Sequence, residues 1–90
     1  MTEFRKRIDE IDKNIVSLFL ERMEVSSQIA GYKREHNLPI FDRAREEAKL
    51  ENVSSMSTPE LREYTKRLYR CLFELSRDYQ SELLAGEKER

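Results

Sequence analysis

The chain has 90 residues, 38% hydrophobic and 39% charged, with a formal net charge of -1, two glycines, two prolines, one Cys and one His. That length allows a single domain over 1–90, and so few glycines and prolines exclude a sheet protein built on tight turns, a Gly-rich phosphate loop and a dinucleotide fold. One Cys and one His build neither a zinc site nor a disulfide framework, a near-neutral charge excludes a typical nucleic-acid binder, and no apolar run approaches the ~20 residues of a membrane span. The N-terminal Met1-Thr2-Glu3-Phe4-Arg5 is no signal peptide, so the expectation is a helical chain of the cytoplasm with a reduced Cys71 and no metal or cofactor.

Residues 3–35 contain no Gly or Pro except Gly31. Phe4, Ile8, Ile11, Ile15, Leu18, Val25, Ile29 and Tyr32 follow alternating steps of four and three, and the step skipped falls on Arg22. The spacing predicts one long helix with a heptad seam that holds a cation, widened by Val16 and Phe19. Such a helix is ~50 Å long, whereas a compact chain of this size has a radius of gyration of only ~12 Å. It cannot bury its whole seam against the remaining residues, and a homodimer is the simplest partner arrangement.

A cation in an apolar seam is costly unless it is paired. Arg22 either bonds an acid such as Glu21 or the Asp12 of a partner helix, or sets the register, or receives an anionic ligand. Lys33 stands eleven residues on, about 20° past three full turns and ~16 Å along the axis. The two long side chains can converge on one small anion, although a lysine there is by itself an ordinary surface residue.

His36-Asn37-Leu38-Pro39 ends this helix, because Asn tolerates a left-handed turn and Pro39 holds Leu38 extended. His36 reads as a solvated loop residue. Asp42 reads as the N-cap of a short helix over 42–53. Arg45 and Glu46 share its face, which spacing alone explains as a cap with an intrahelical charge cluster. Ala44 and Ala48 allow close packing on the other side. Ser54 to Pro59 form a loop, and Thr58 with Pro59 starts a third helix over 59–85. That helix ends near Gly86, with a frayed charged tail from Glu87 to Arg90.

The third helix carries a seam of Leu61, Tyr64 or Thr65, Leu68, Leu72, Leu75, Tyr79 and Leu83, with Cys71 expected as a small buried residue. Ser76 and Gln80 continue the Leu68–Leu72 row at the seam's edge, either as interface polar groups or as ligand groups. Arg22, Lys33, Asp42, Arg45, Glu46, Ser76 and Gln80 together offer cations, neutral donors and two acids, but no nucleophile, metal cage or nucleotide loop. Such a set suits a protein that orients an anion and stabilises developing charge. Composition and spacing lead this far: an all-α dimer, three helices per chain (long, short, long), with a polar site for a small anion.

Arg5-x-x-Ile8-Asp9-x-Ile11-Asp12, Leu18-x-x-x-Arg22, Lys33, Pro39-x-x-Asp42-x-x-Arg45-Glu46 and Ser76-x-x-x-Gln80, spread over residues 4–84, resemble the all-helical (type II) class of chorismate mutases. The resemblance implies a chorismate mutase domain in an intertwined homodimer. It would need no cofactor and would rearrange chorismate to prephenate in the branch leading to phenylalanine and tyrosine. It also implies the residue roles. Arg5 and Arg22 grip the two substrate carboxylates, and Lys33 and Gln80 donate to the ether oxygen. Glu46, helped by the Asp42 region, accepts from the ring hydroxyl. Ser76 touches a carboxylate, and Arg45 lines the site. Arg5 and Arg22 are ~25 Å apart on one helix, so Arg5 would act in the partner's site.

A lyase of the same fold, removing pyruvate from isochorismate, would share the Arg and Lys grip but need the acid at the ring hydroxyl less, so Glu46 with Asp42 favours the mutase. A non-catalytic helical dimerisation module would leave Arg22, Lys33, Glu46 and Gln80 as independent surface or register residues. The expectation is a domain without a regulatory amino-acid-binding domain or a fused dehydratase or dehydrogenase.

Overall fold

The computed structural model describes residues 1–88, and every regular element among them is helical. Helix α1 (Thr2–Glu35) is unbroken over 34 residues and sets the molecule's longest dimension, 51 Å. It stops where Asn37 turns left-handed, at φ 54°, the conformation that a short polar side chain tolerates. The Leu38 N–H then donates to the Lys33 carbonyl at 2.8 Å. His36 is exposed and stacks on Tyr32 with ring centres 4.0 Å apart.

Helix α2 (Arg43–Met56) opens on Asp42, whose Oδ1 accepts from the Arg45 N–H at 3.0 Å. It runs three residues beyond the expected end at 53, so the expected loop shrinks to Ser57 and Thr58. Nothing before Pro59 breaks the helix; the ring of Pro59 then forces Thr58 into an extended conformation, φ -66° and ψ 150°. Pro59–Leu61 form a 3₁₀ turn and α3 (Arg62–Lys88) follows. The Thr58 side chain makes no capping bond; the junction is tied instead by the hydroxyls of Ser57 and Thr65, 2.9 Å apart. Gly86 does not end α3, because no glycine takes the left-handed conformation that would turn the chain out. Of the expected frayed tail, Glu89 and Arg90 lie outside the described residues.

Helices α1 and α2 both pack on α3 and not on each other. Arg22 against Phe73 and Ser26 against Ser76 make α1 parallel to α3. Glu46 against Arg77 and Ser57 against Thr65 make α2 antiparallel to it. The body measures 51 × 28 × 14 Å, so it is scarcely thicker than one helix with its side chains, ~10–12 Å. A single layer cannot enclose a large core. Its radius of gyration is 16.1 Å, against ~12 Å for a compact chain of this length. Among the described residues only Ala30, Val53 and Phe73 are buried apolar residues, joined by Ser26 and Gln80.

The rest of the apolar pattern stays open. Phe4 is 63% exposed and Leu68 57%, and Ile8, Ile11, Ile15, Leu61, Tyr64 and Leu75 are exposed too. Cys71, expected inside, is exposed, because it lies about 200° around α3 from Phe73. Ala44 and Ala48 are also exposed, on the side of α2 turned away from Glu46. With so small a core, Phe73 carries unusual weight. Phe73→Ala should destabilise the protein by about 3 to 5 kcal/mol, read as a lower midpoint in urea denaturation. An unchanged midpoint would show that Phe73 does not anchor α3.

Candidate active site

Each helix turns one row of side chains, spaced three and four apart, toward a common cavity of about 760 Å³. From α1 come Leu18, Arg22, Val25, Ser26, Ile29 and Lys33. The start of α2 supplies Asp42, Arg45, Glu46 and Lys49, and α3 supplies Phe73, Ser76, Arg77 and Gln80. These spacings keep every member of a row on one helix face. Because α1 and α2 lean separately on α3, the space between them above α3 is the cavity.

Seven of the eight residues singled out from the sequence therefore meet here: Arg22, Lys33, Asp42, Arg45, Glu46, Ser76 and Gln80. Arg5 does not. It is exposed near the start of α1, seventeen residues before Arg22, or ~25 Å along the axis.

The cavity is cationic. Arg22, Lys33, Arg45, Lys49 and Arg77 face it, against the carboxylates of Glu21, Asp42 and Glu46. The Arg22 guanidinium lies 6.0 Å from the Phe73 ring centre and forms no ion pair among the described residues. The Arg45 guanidinium likewise forms none. Lys33 is held in place: its Nζ donates to the Ile40 carbonyl at 2.6 Å. That carbonyl is presented by the extended segment after Pro39, so the turn ending α1 fixes the ammonium against the cavity wall. An ammonium has three donors, which leaves Lys33 two more.

The Asp42 Oδ1 is engaged in capping α2. Glu46 is half-covered and faces Arg77, with 3.2 Å between Oε2 and Nε, an ion pair without hydrogen-bond alignment. Arg77 also lies over the Phe41 ring at 4.8 Å. Ser76 is hydrogen-bonded both to Ser26, at 2.6 Å, and to Gln80, whose Nε2 donates at 3.1 Å.

Sequence reasoning missed Arg77 and Ser26. Arg77 reads as one more surface arginine in a chain with 17 basic residues; its signal was its place between Phe73 and Gln80 at steps of four and three. Ser26 carries no charge, and its signal was falling four residues after Arg22, inside the seam. The whole arrangement can hold a small anion and present hydrogen-bond donors to it from three sides. No group of three His, Cys, Asp or Glu side chains among the described residues could hold a metal ion. No described helix is long and apolar enough to cross a membrane.

The sequence pattern of the family described as chorismate mutase type II matches residues 4–81. The bifunctional chorismate mutase/prephenate dehydratase of Buchnera aphidicola subsp. Schizaphis graminum is 35% identical over 86 residues, 93% of this chain and 22% of that protein. The T-protein of Haemophilus influenzae is 37% identical over 51 residues, 57% of this chain and 14% of that protein. The chorismate mutase of Methanocaldococcus jannaschii is 41% identical over 46 residues, 51% of this chain and 46% of that protein. The chain thus spans less than half the length of each of these relatives. No solved structure matches it significantly.

Proposed function

We propose that this chain, which belongs to the chorismate mutase type II family, rearranges chorismate to prephenate for the synthesis of phenylalanine and tyrosine. The observation that carries the reading is the pair of unpaired guanidinium groups, Arg22 and Arg45, beside the pinned Lys33 in a cavity where cations outnumber carboxylates. Chorismate is a dicarboxylate that must be held folded so that its enolpyruvyl group lies over the ring. Binding energy from the carboxylates, spent on holding that shape, lowers the barrier without any covalent step.

In the rearrangement the ether C–O bond breaks as a C–C bond forms, and negative charge gathers on the ether oxygen. Lys33 and Gln80 donate to that oxygen, and their hydrogen bonds strengthen as the charge grows. Arg22 grips one carboxylate from within the chain. Ser76 touches a carboxylate, Arg45 lines the site, and Glu46 with the Asp42 region accepts from the ring hydroxyl. Arg77 holds Glu46 in this scheme through the 3.2 Å ion pair.

The active unit in this reading is a homodimer in the cytoplasm. The exposed seam of Phe4, Ile8, Ile11 and Ile15 supports it, since apolar stripes of that length are covered by another chain in stable proteins. The same half of α1 carries Arg5, which reaches the second carboxylate in the partner's cavity. Sedimentation should find a dimer at micromolar concentration. A well-folded, active monomer would overturn the shared site.

The experiment that tests the function is direct. Chorismate absorbance is followed on mixing with purified protein, and the product is identified. Prephenate is expected. No reaction of chorismate, or release of pyruvate from isochorismate instead, would overturn the proposal.

A further inference from the structure

Of the cations that face the cavity, Arg22, Lys33, Arg45 and Arg77 are used in the proposed reaction and Lys49 is not. The Lys49 side chain is half-buried in the cavity wall. It forms no ion pair among the described residues. Its Nζ lies 3.5 Å from the Asn52 Oδ1 of its own helix, beyond the roughly 2.7–3.2 Å of a well-formed bond. An ammonium drawn part-way out of water without a good partner is costly, which makes this position ready for an anion.

The packing of the helices places that ammonium. Helix α2 runs antiparallel to α3 with Glu46 beside Arg77 and Ser57 beside Thr65, so Lys49, one turn beyond Glu46, stands level with Phe73 and Glu74. Helix α1 runs parallel to α3 and brings the Arg22 guanidinium to the Phe73 ring. Arg22 and Lys49 therefore flank the same end of the cavity from opposite walls, with Phe73 between them on α3. No carboxylate of the described residues joins them. Asp42 caps α2, Glu46 is paired with Arg77, and Glu21 lines the cavity without pairing with either cation.

We propose that Lys49 is a substrate-binding residue that closes on the carboxylate gripped by Arg22, so that this carboxylate is held from α1 and α2 at once. The inference rests on the reading of the cavity as a chorismate site. A carboxylate has two oxygens and about four lone-pair positions, so it accepts from both cations and offsets the repulsion between them. The guanidinium fork of Arg22 sets the orientation, while the ammonium of Lys49, a point charge on a flexible stem, adds attraction without fixing a geometry. The carboxylate takes no part in the bond changes and carries the same charge in chorismate and in the transition state. The contact therefore appears in KM and leaves kcat nearly untouched, unlike that of a donor to the ether oxygen.

The test is steady-state turnover of chorismate by Lys49→Met, which keeps the apolar stem and removes the charge. KM should rise about five- to tenfold, the size of one charge-assisted contact at a half-exposed site, with kcat within about twofold of the parent. Lys49→Arg should stay near the parental KM. Arg43→Met, the same loss of charge on the same helix but outside the cavity, should leave KM unchanged. A parental KM for Lys49→Met, an equal rise for Arg43→Met, or a fall in kcat at constant KM would overturn the proposal. So would a shift of Lys49→Met from dimer to monomer in sedimentation, which would assign Lys49 to the subunit interface. Should Lys49→Met fail to fold by circular dichroism, Lys49→Gln is judged by the same outcomes. A parent protein that leaves chorismate unchanged would instead overturn the chorismate reading, a result distinct from any of the variants'.

Discussion

Lys33→Ala is expected to lower kcat roughly 10²- to 10³-fold, with a much smaller change in KM. The split follows from when the hydrogen bond is strong. In bound chorismate the ether oxygen is a weak acceptor, and an ammonium beside it contributes little to binding. As the C–O bond breaks the oxygen becomes anionic, and the same contact becomes charge-assisted. An interaction stronger in the transition state than in the ground state appears in kcat.

The structure adds a reason for the size of the effect. The Lys33 ammonium is anchored by the Ile40 carbonyl at 2.6 Å, so it has no large reorganisation to make as the reaction proceeds. Lys33→Arg should rescue poorly. A planar guanidinium cannot keep the Ile40 bond and place a point charge at the same spot. Steady-state kinetics on the two variants decides the matter. A normal turnover for Lys33→Ala would remove this residue from the chemistry.

The long first helix, its cationic interruption at Arg22 and the Asp42 start of α2 were legible because each rests on a local rule: heptad spacing, helix length and capping. Placing Arg22 and Lys33 on one face needed only the helical repeat. Element ends were less legible. The run from 54 to 56 carries no breaker, and only Pro59 imposes one, so α2 outlasts the serines that suggested a loop. The apolar character of Cys71 suggests burial, whereas its direction on α3 is set by the row from Phe73 to Gln80 and leaves it exposed. Spacing puts Ser26 and Arg77 on the rows that face the cavity but does not reveal what they touch. Their importance arises from contacts across helices, Ser26 with Ser76 and Arg77 with Glu46, and a sequence reports such contacts only after the packing is known. The exposed seam is legible from length alone, because a helix of ~50 Å outruns what the rest of a 90-residue chain can cover.

Arg5 is the residue that the single chain leaves outside its own cavity, and the largest expected effect concerns it. Arg5→Ala and Arg22→Ala should each be nearly inactive, because each removes a guanidinium that holds a carboxylate and so fixes the reactive shape. Mixed together and allowed to exchange subunits, the two inactive proteins should regain activity. In a mixed dimer, one cavity has Arg22 from the Arg5→Ala chain and Arg5 from the Arg22→Ala chain, and is intact; the other lacks both. Random exchange puts half of the dimers in this state, so about a quarter of all sites recover, as the two-fold symmetry of the pair dictates. The exposed Phe4, Ile8 and Ile11 flank Arg5 on α1, so the surface that would bury itself in the partner is the one that would carry Arg5 there. Activity of the mixture, measured after mass spectrometry has verified exchange, is the readout. No recovery after full exchange would rule out delivery of Arg5 across the interface, and the second carboxylate would then have to be held by Arg45 or Arg77 from within the chain.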